Sequence, residues 1–386
     1  MVADPASVDH FADRGWNDGV HELIDEARRS TQDPGKPPVT EDWPEVVTWW
    51  IERMASPDSG LLERLTWFWH GLLTTGAPKV GSAVLVGRQL AMLRSHATGT
   101  YRDLLHAYVT DGALLEYLDG SYSMAANPNE NLGRELMELF TIGAGTYTED
   151  DVRAAARALA GWVVKDDSVE WRRDHAFVAP LMFRGVQDRW DTTLIVDHLC
   201  DQPETAVNVG SRMWQTLLGT RLTPEGAAEL GAWWQSTDLD VLALVEKILT
   251  DPSAEESRLN KTRTGVEWFL AFGAAIGDVN VDPWALERLD QMPYYPPNVG
   301  GWPEGEHWVS PGSLLGRLSM IANLDGESVA GAGRAEVLDR CGLFELLPTT
   351  AAALEDLQRD LAQPSPETIG NLTWRLALSS PEFNLS

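Results

Sequence analysis

Asn127-Pro128-Asn129-Glu130-Asn131-Leu132-Gly133-Arg134-Glu135-Leu136-Met137-Glu138-Leu139-Phe140-Thr141-Ile142-Gly143 reads as a helix with a marked start, an apolar stripe, a charged stripe and a glycine stop. Asn127 is the expected N-cap, Pro128 stands where a first-turn proline is tolerated, and Glu130 completes a capping-box-like spacing. Leu132, Leu136, Leu139 and Phe140 recur at helical intervals and predict the core-facing side. Glu130, Arg134 and Glu138 fall four apart on another side, with Glu135 one residue off that line. Gly143 and Gly145 end the helix and open a turn.

The same periodicity extends in both directions. Upstream, Val8, Phe11 and Ala12, then Val20, Leu23, Ile24 and Ala27, predict a short helix pair over residues 5–30. Further helices are expected at 45–54, 60–75, 81–94 and 101–118. Downstream, Thr148 is an N-cap followed by Glu149, Asp150 and Asp151, where carboxylates suit the helix dipole. Helices are expected again at 192–200, 204–218, 224–235, 240–249, 264–276 and 313–323. Residues 163–189 lose this period, and Trp171, Phe177, Val178, Leu181, Met182 and Phe183 predict at most a small β-hairpin. Residues 290–313 are too rich in proline and glycine for one helix. The expected fold is therefore mainly α: a multi-helix globular domain (1–325) with long ordered loops. A Gly/Ala-rich linker (326–334) leads to a helical C-terminal tail (335–386) packing on the same domain. No fixed repeat period points to a solenoid.

Composition narrows the function classes. A formal charge of −28, from 30 basic and 58 acidic residues, repels phosphate backbones and anionic lipid, so nucleic acid is not an expected partner. No apolar run reaches the length of a membrane span, and the first ten residues carry no export signal, so a cytoplasmic protein is the default expectation. Cys200 and Cys341 are too few for a disulfide framework or a cysteine-based zinc site, and leave a single bridge open. Seventeen tryptophans against nine phenylalanines and seven tyrosines read first as large core side chains, and second as an aromatic groove for a flat ligand. Phosphate loops, dinucleotide fingerprints, nucleophile elbows and the HExxH zinc motif do not occur.

The stretch 127–143, followed by Tyr147-Thr148-Glu149-Asp150-Asp151-Val152-Arg153-Ala154-Ala155-Ala156-Arg157-Ala158-Leu159-Ala160-Gly161-Trp162, resembles the signature of the bacterial domain of unknown function 1800 family. The resemblance continues at Tyr294-Tyr295-Pro296-Pro297-Asn298-Val299-Gly300-Gly301-Trp302-Pro303 with Trp308 and Ser310, and more weakly at 65–73 and 261–269, covering roughly residues 5–385. In the 65–73 segment the family's second histidine is replaced by Leu72, and a proline expected before the 264–276 helix is Gly265. A histidine-aspartate-x-glycine run expected after Trp162 is matched only by Asp174-His175-Ala176, out of register, and a leucine/arginine-rich lead-in is missing. The resemblance implies a mainly α-helical bacterial protein. It also implies a partner from a second, sulfatase-like uncharacterised family.

His70, Arg134, Glu135 and Glu138 are the candidate catalytic residues, and Asn298, Trp302 and Trp308 the candidate ligand-binding residues. Glu135 and Glu138, three apart, could act as carboxylate ligands or an acid/base pair facing His70, as in helical carboxylate sites holding a divalent metal. The only glutamate-x-x-histidine spacing, Glu304 to His307, lies in a loop, and the identity of any metal is left open. The competing reading makes His70 a core or helix-end histidine and Arg134 a clamp between carboxylates. The chain is therefore expected to be an interaction or scaffold protein, or a member that has lost activity. The alternative is a metal-dependent enzyme built around the 127–143 helix.

Overall fold

A computed structural model describes residues 15–32, 35–56, 60–257, 260–277, 283–324, 332–360 and 366–385. Among them are 20 α-helices and two small antiparallel two-stranded sheets, so the fold is mainly α. Of the predicted N-terminal helix pair, the second member is the helix Trp16–Gln32, while Val8, Phe11 and Ala12 lie outside the described residues, as does the predicted linker up to residue 331. No helix among the described residues is long and apolar enough to cross a membrane.

The central helix runs Glu130–Glu138, and its N-cap is Asn129, two residues later than the sequence pattern suggests. Asn127 is instead bridged to Met124, while the Asn129 side chain accepts from Asn131 N–H and donates to Asp119 C=O. Leu132, Leu136, Met137 and Phe140 are buried. Gly133 lets the helix Glu149–Ala158 approach closely: a Cβ there would lie 3.0 Å from Ala156 N and 3.1 Å from the Ala155 methyl. The small Ala155 side chain and the Ala156 backbone are what meet it there. Gly133→Val is therefore expected to wedge the helices apart and cost about 1–3 kcal/mol; an unchanged urea midpoint would rule the close approach out. The second helix starts, as expected, on Thr148, whose hydroxyl and Asp151 form a reciprocal capping box.

The predicted 101–118 helix is two helices, Tyr101–Val109 and Gly112–Tyr117. Asp111 separates them by capping the second: its Oδ1 accepts from Ala113 N, Leu114 N and Gln89 Nε2. Where at most one hairpin is expected there are two, β1 (Trp162–Lys165) with β2 (Ser168–Trp171), and β3 (Leu181–Phe183) with β4 (Val186–Asp188). Their two-residue turns, Asp166-Asp167 and Arg184-Gly185, have both residues at positive φ, the geometry that matches strand twist. Three of these four are not glycine, so the turn signal is faint in the sequence.

Two hydrophobic cores share one wall. The helix Gly60–Leu72 sends Leu65 and Trp69 into the first core, with Tyr101, Leu136, Phe140, Val209 and Trp234. It sends Trp67 into the second, a cluster that also holds Trp50 and, from the C-terminal third, Trp268, Tyr294, Trp374 and Phe383. That shared packing supports the proposed assignment of residues 335–386 to the same body. Cys200 and Cys341 are buried in different cores and both are free thiols. Half of the twelve largest fully buried side chains are tryptophans, in line with the core reading of that composition.

Candidate functional site

His70 sits in the last turn of the Gly60–Leu72 helix, fully buried. Its ring is enclosed by Trp50, Trp67, Tyr294 and Trp302, with centroids 4.3–5.6 Å away. Its Nε2 accepts a hydrogen bond from Tyr294 N–H at 3.1 Å. A backbone N–H can only donate, so Nε2 is unprotonated and the proton of the neutral ring is on Nδ1, which has no hydrogen-bond partner. Burial pushes the pKa down to about 3. The lone pair a general base would need is thus already engaged, and Leu72, at the place of the family's second histidine, is itself buried.

What His70 holds is a strained residue. Tyr294 has φ +61°, a left-handed conformation that bulky L-residues rarely adopt, and it persists only where neighbours over-determine it. Its N–H is taken by His70 and its C=O by Ala77 N–H at 2.8 Å. A few residues on, Gly301 (φ +83°) lies so close to the same helix end that a Cβ would be 2.3 Å from Gly71 C=O. Asn298 closes its own turn, its Oδ1 accepting from Gly300 N–H and its C=O from Gly301 N–H. Trp302 stacks on Trp67, and Trp308 is buried, donating to Pro303 C=O.

The central-helix candidates are engaged among themselves and with the following segment. Arg134 makes a two-pronged bond to Glu149, both contacts at 2.8 Å, and a looser contact of 3.6 Å to Glu130. Glu138 accepts from the Tyr147 hydroxyl, rather than pairing with Arg134 as the i, i+4 spacing suggests. Glu135 is half-buried, and burial together with the neighbouring Glu138 charge raises its pKa. The ring nitrogens of His70 bond to neither carboxylate, Nε2 being held by Tyr294 and Nδ1 having no partner. Among the described residues no group of three or more His, Cys, Asp or Glu could hold a metal ion.

Two charged assemblies escape the sequence reading. Glu63 and Arg94, both wholly buried, form an ion pair (Nε–Oε1 2.9 Å, Nη2–Oε1 2.5 Å) completed by Trp50 Nε1 on Oε2 and by Arg94 Nη1 on Gly35 C=O. The second surrounds Glu267, at the start of the helix Gly265–Ile276. Its Oε1 accepts from Lys261 Nζ at 2.5 Å and pairs with Arg64 at 2.7 Å, while Oε2 accepts from Thr264 N–H. Burial alone would raise this carboxyl, but Arg64 and Lys261 hold it down to about 2. Two signals were available: adjacent charges Glu63 and Arg64 inside an apolar helix, and the Thr264-x-x-Glu267 capping box.

A cavity of about 130 Å³ opens against this second assembly. Trp67, Trp302 and Trp308 line it together with Lys261, Arg212, Glu267 and Glu304. Of the ligand-binding candidates, Trp302 and Trp308 line it; Asn298 does not. None of the four catalytic candidates lines it.

No curated protein and no solved structure matches the chain. A family model described as "Protein of unknown function (DUF1800)" matches residues 1–385. A match over essentially the whole length, including the 127–162 and 294–310 segments whose geometry is given above, means that the chain belongs to the DUF1800 family.

Proposed function

We propose that this chain works by binding rather than by catalysis, as a helical scaffold whose motif residues hold helices and loops in register. The observation that carries the reading is the bonding of His70: its only lone pair is spent on Tyr294 N–H, inside a cage of four aromatic rings. Arg134, bonded to Glu149, fits the same role by tying the central helix to the next one. The sulfatase-like protein implied by the family resemblance is the partner to test first, by co-expression and co-purification.

The alternative, a metal-dependent enzyme using Glu135 and Glu138, makes a different prediction for the same variants. We expect tag-free protein purified without chelators to hold no stoichiometric metal, and Glu135→Ala/Glu138→Ala to change only stability. Arg134→Ala, which removes a partly exposed pair, is expected to cost about 1 kcal/mol or less with no other defect. Stoichiometric metal by mass spectrometry, lost in the double variant, would overturn the scaffold reading in favour of the enzyme.

A further inference from the structure

Among the described residues, the Glu267 assembly has more positive charge than it neutralises. Lys261 and Arg64 share one carboxylate oxygen. Directly behind them, Arg263 donates to Phe383 C=O at 2.9 Å, and Arg317 donates to Asn384 Oδ1 at 2.6 Å and to Arg263 C=O at 2.7 Å. These last two guanidinium groups meet neutral oxygens only among the described residues, so four cations gather around the single carboxylate of Glu267. Burial and the neighbouring Arg64 charge push Lys261 down to about 8, and burial pushes Arg263 and Arg317 down to about 10. Such an excess is costly to bury and runs against the composition of a chain with 58 acidic residues.

Part of this cluster reaches a cavity, whose lining includes Lys261 and Glu267 but not Arg64, Arg263 or Arg317. Arg212, from the helix Pro203–Leu218, adds a second cation to the lining, with a long 3.5 Å contact to Leu139 C=O and with the charge of Glu304, also in the lining, acting on it. Trp67 and Trp302, stacked with centroids 5.6 Å apart, offer an aromatic surface beside them. Trp302 Nε1 is shielded from water and has no hydrogen-bond partner. Two cations and an aromatic surface line one space.

We propose that this cavity binds a small organic oxyanion, a carboxylate or a phosphate monoester on a flat apolar body. Its charged end meets Lys261 and Arg212, and its body lies along Trp67, Trp302 and Trp308. The anion supplies the negative charge the assembly lacks, and the aromatic wall selects against bare inorganic ions. This goes beyond the scaffold reading and stands or falls separately from it, since metal content and partner binding do not report on the cavity.

The test titrates the full chain with benzoate, phenyl phosphate and benzyl alcohol at constant ionic strength, chloride replacing the anion. The readouts are tryptophan fluorescence and Tm. Benzoate or phenyl phosphate should give a saturable fluorescence change and a rise in Tm, the better of the two identifying the headgroup, while benzyl alcohol should give neither. Lys261→Gln should weaken binding tenfold or more. Because Lys261 also bonds Glu267, Arg212→Gln serves as the second variant, outside that ion pair, with a comparable loss expected. The proposal is overturned if neither anion binds saturably, if benzyl alcohol binds as well as the anions, or if both folded variants keep the wild-type Kd.

Discussion

Arg94→Ala is expected to remove about 3–5 kcal/mol of stability, a large share of what a domain of this kind possesses. The loss is not the worth of an ion pair, since burying two charges consumes much of their attraction. It arises because the substitution leaves Glu63, at 0 % side-chain exposure, as a carboxylate with only Trp50 Nε1 to meet it. The guanidinium also closes Gly35 C=O and lies 4.9 Å from the Trp49 ring centroid, so three segments loosen together. Replacing both partners by leucine should recover much of the loss, because no uncompensated charge then remains. Urea denaturation of the two single variants and the double one closes the cycle. A single-variant loss below about 1 kcal/mol would mean that water reaches the pair.

His70→Ala belongs in the same range, about 3–5 kcal/mol, by a different route. The ring's removal empties a space between four aromatic neighbours, and Tyr294 N–H loses its only acceptor while its backbone stays strained. The pH dependence carries a signature. The folded pKa, about 3, lies below the unfolded value of 6.5, so the folded chain binds fewer protons between those limits. Stability from this group is therefore complete above pH 6.5 and falls on acidification, by up to about 1.4 kcal/mol per pH unit, until pH 3. His70→Phe, which fills the space without titrating, should lack that component. Comparing the slopes of the two proteins between pH 5 and 6.5 cancels every other titrating group. Identical slopes would show that the histidine is hydrated.

Helices were readable because burial imposes a period on sequence. Thr192–Cys200 and Pro224–Gln235 have the expected bounds, and the apolar stripe of the central helix is buried as its spacing requires. Where several caps compete, the pattern cannot choose: Asn127 and Asn129 are equally good by type, and the bridge of Asn127 to Met124 decides for the second. The partners of charged residues were less legible. Spacing along one helix offered Arg134 the carboxylate of Glu138, yet Glu149, fifteen residues on, takes both prongs because the turn after Gly143 and Gly145 brings the next helix alongside. The Glu267 assembly draws on residues 64, 261, 263, 267 and 317, and no local rule joins positions so far apart. Trp302 and Trp308 were visible as candidates because a loop so rich in proline and glycine has few other ways to anchor itself.

The hydrogen bond from Tyr294 to His70 spans 224 positions of chain. During synthesis at roughly 5–20 residues per second, the aromatic pocket around residue 70 therefore waits roughly 10–50 s for the segment that closes it. Through that interval Trp50 and Trp67 lack their C-terminal cover, leaving the nascent chain with a sticky indole-lined notch. The ribosome-bound chain is thus expected to need a holding chaperone, and arrest of translation between Trp67 and Trp302 should yield an aggregating product.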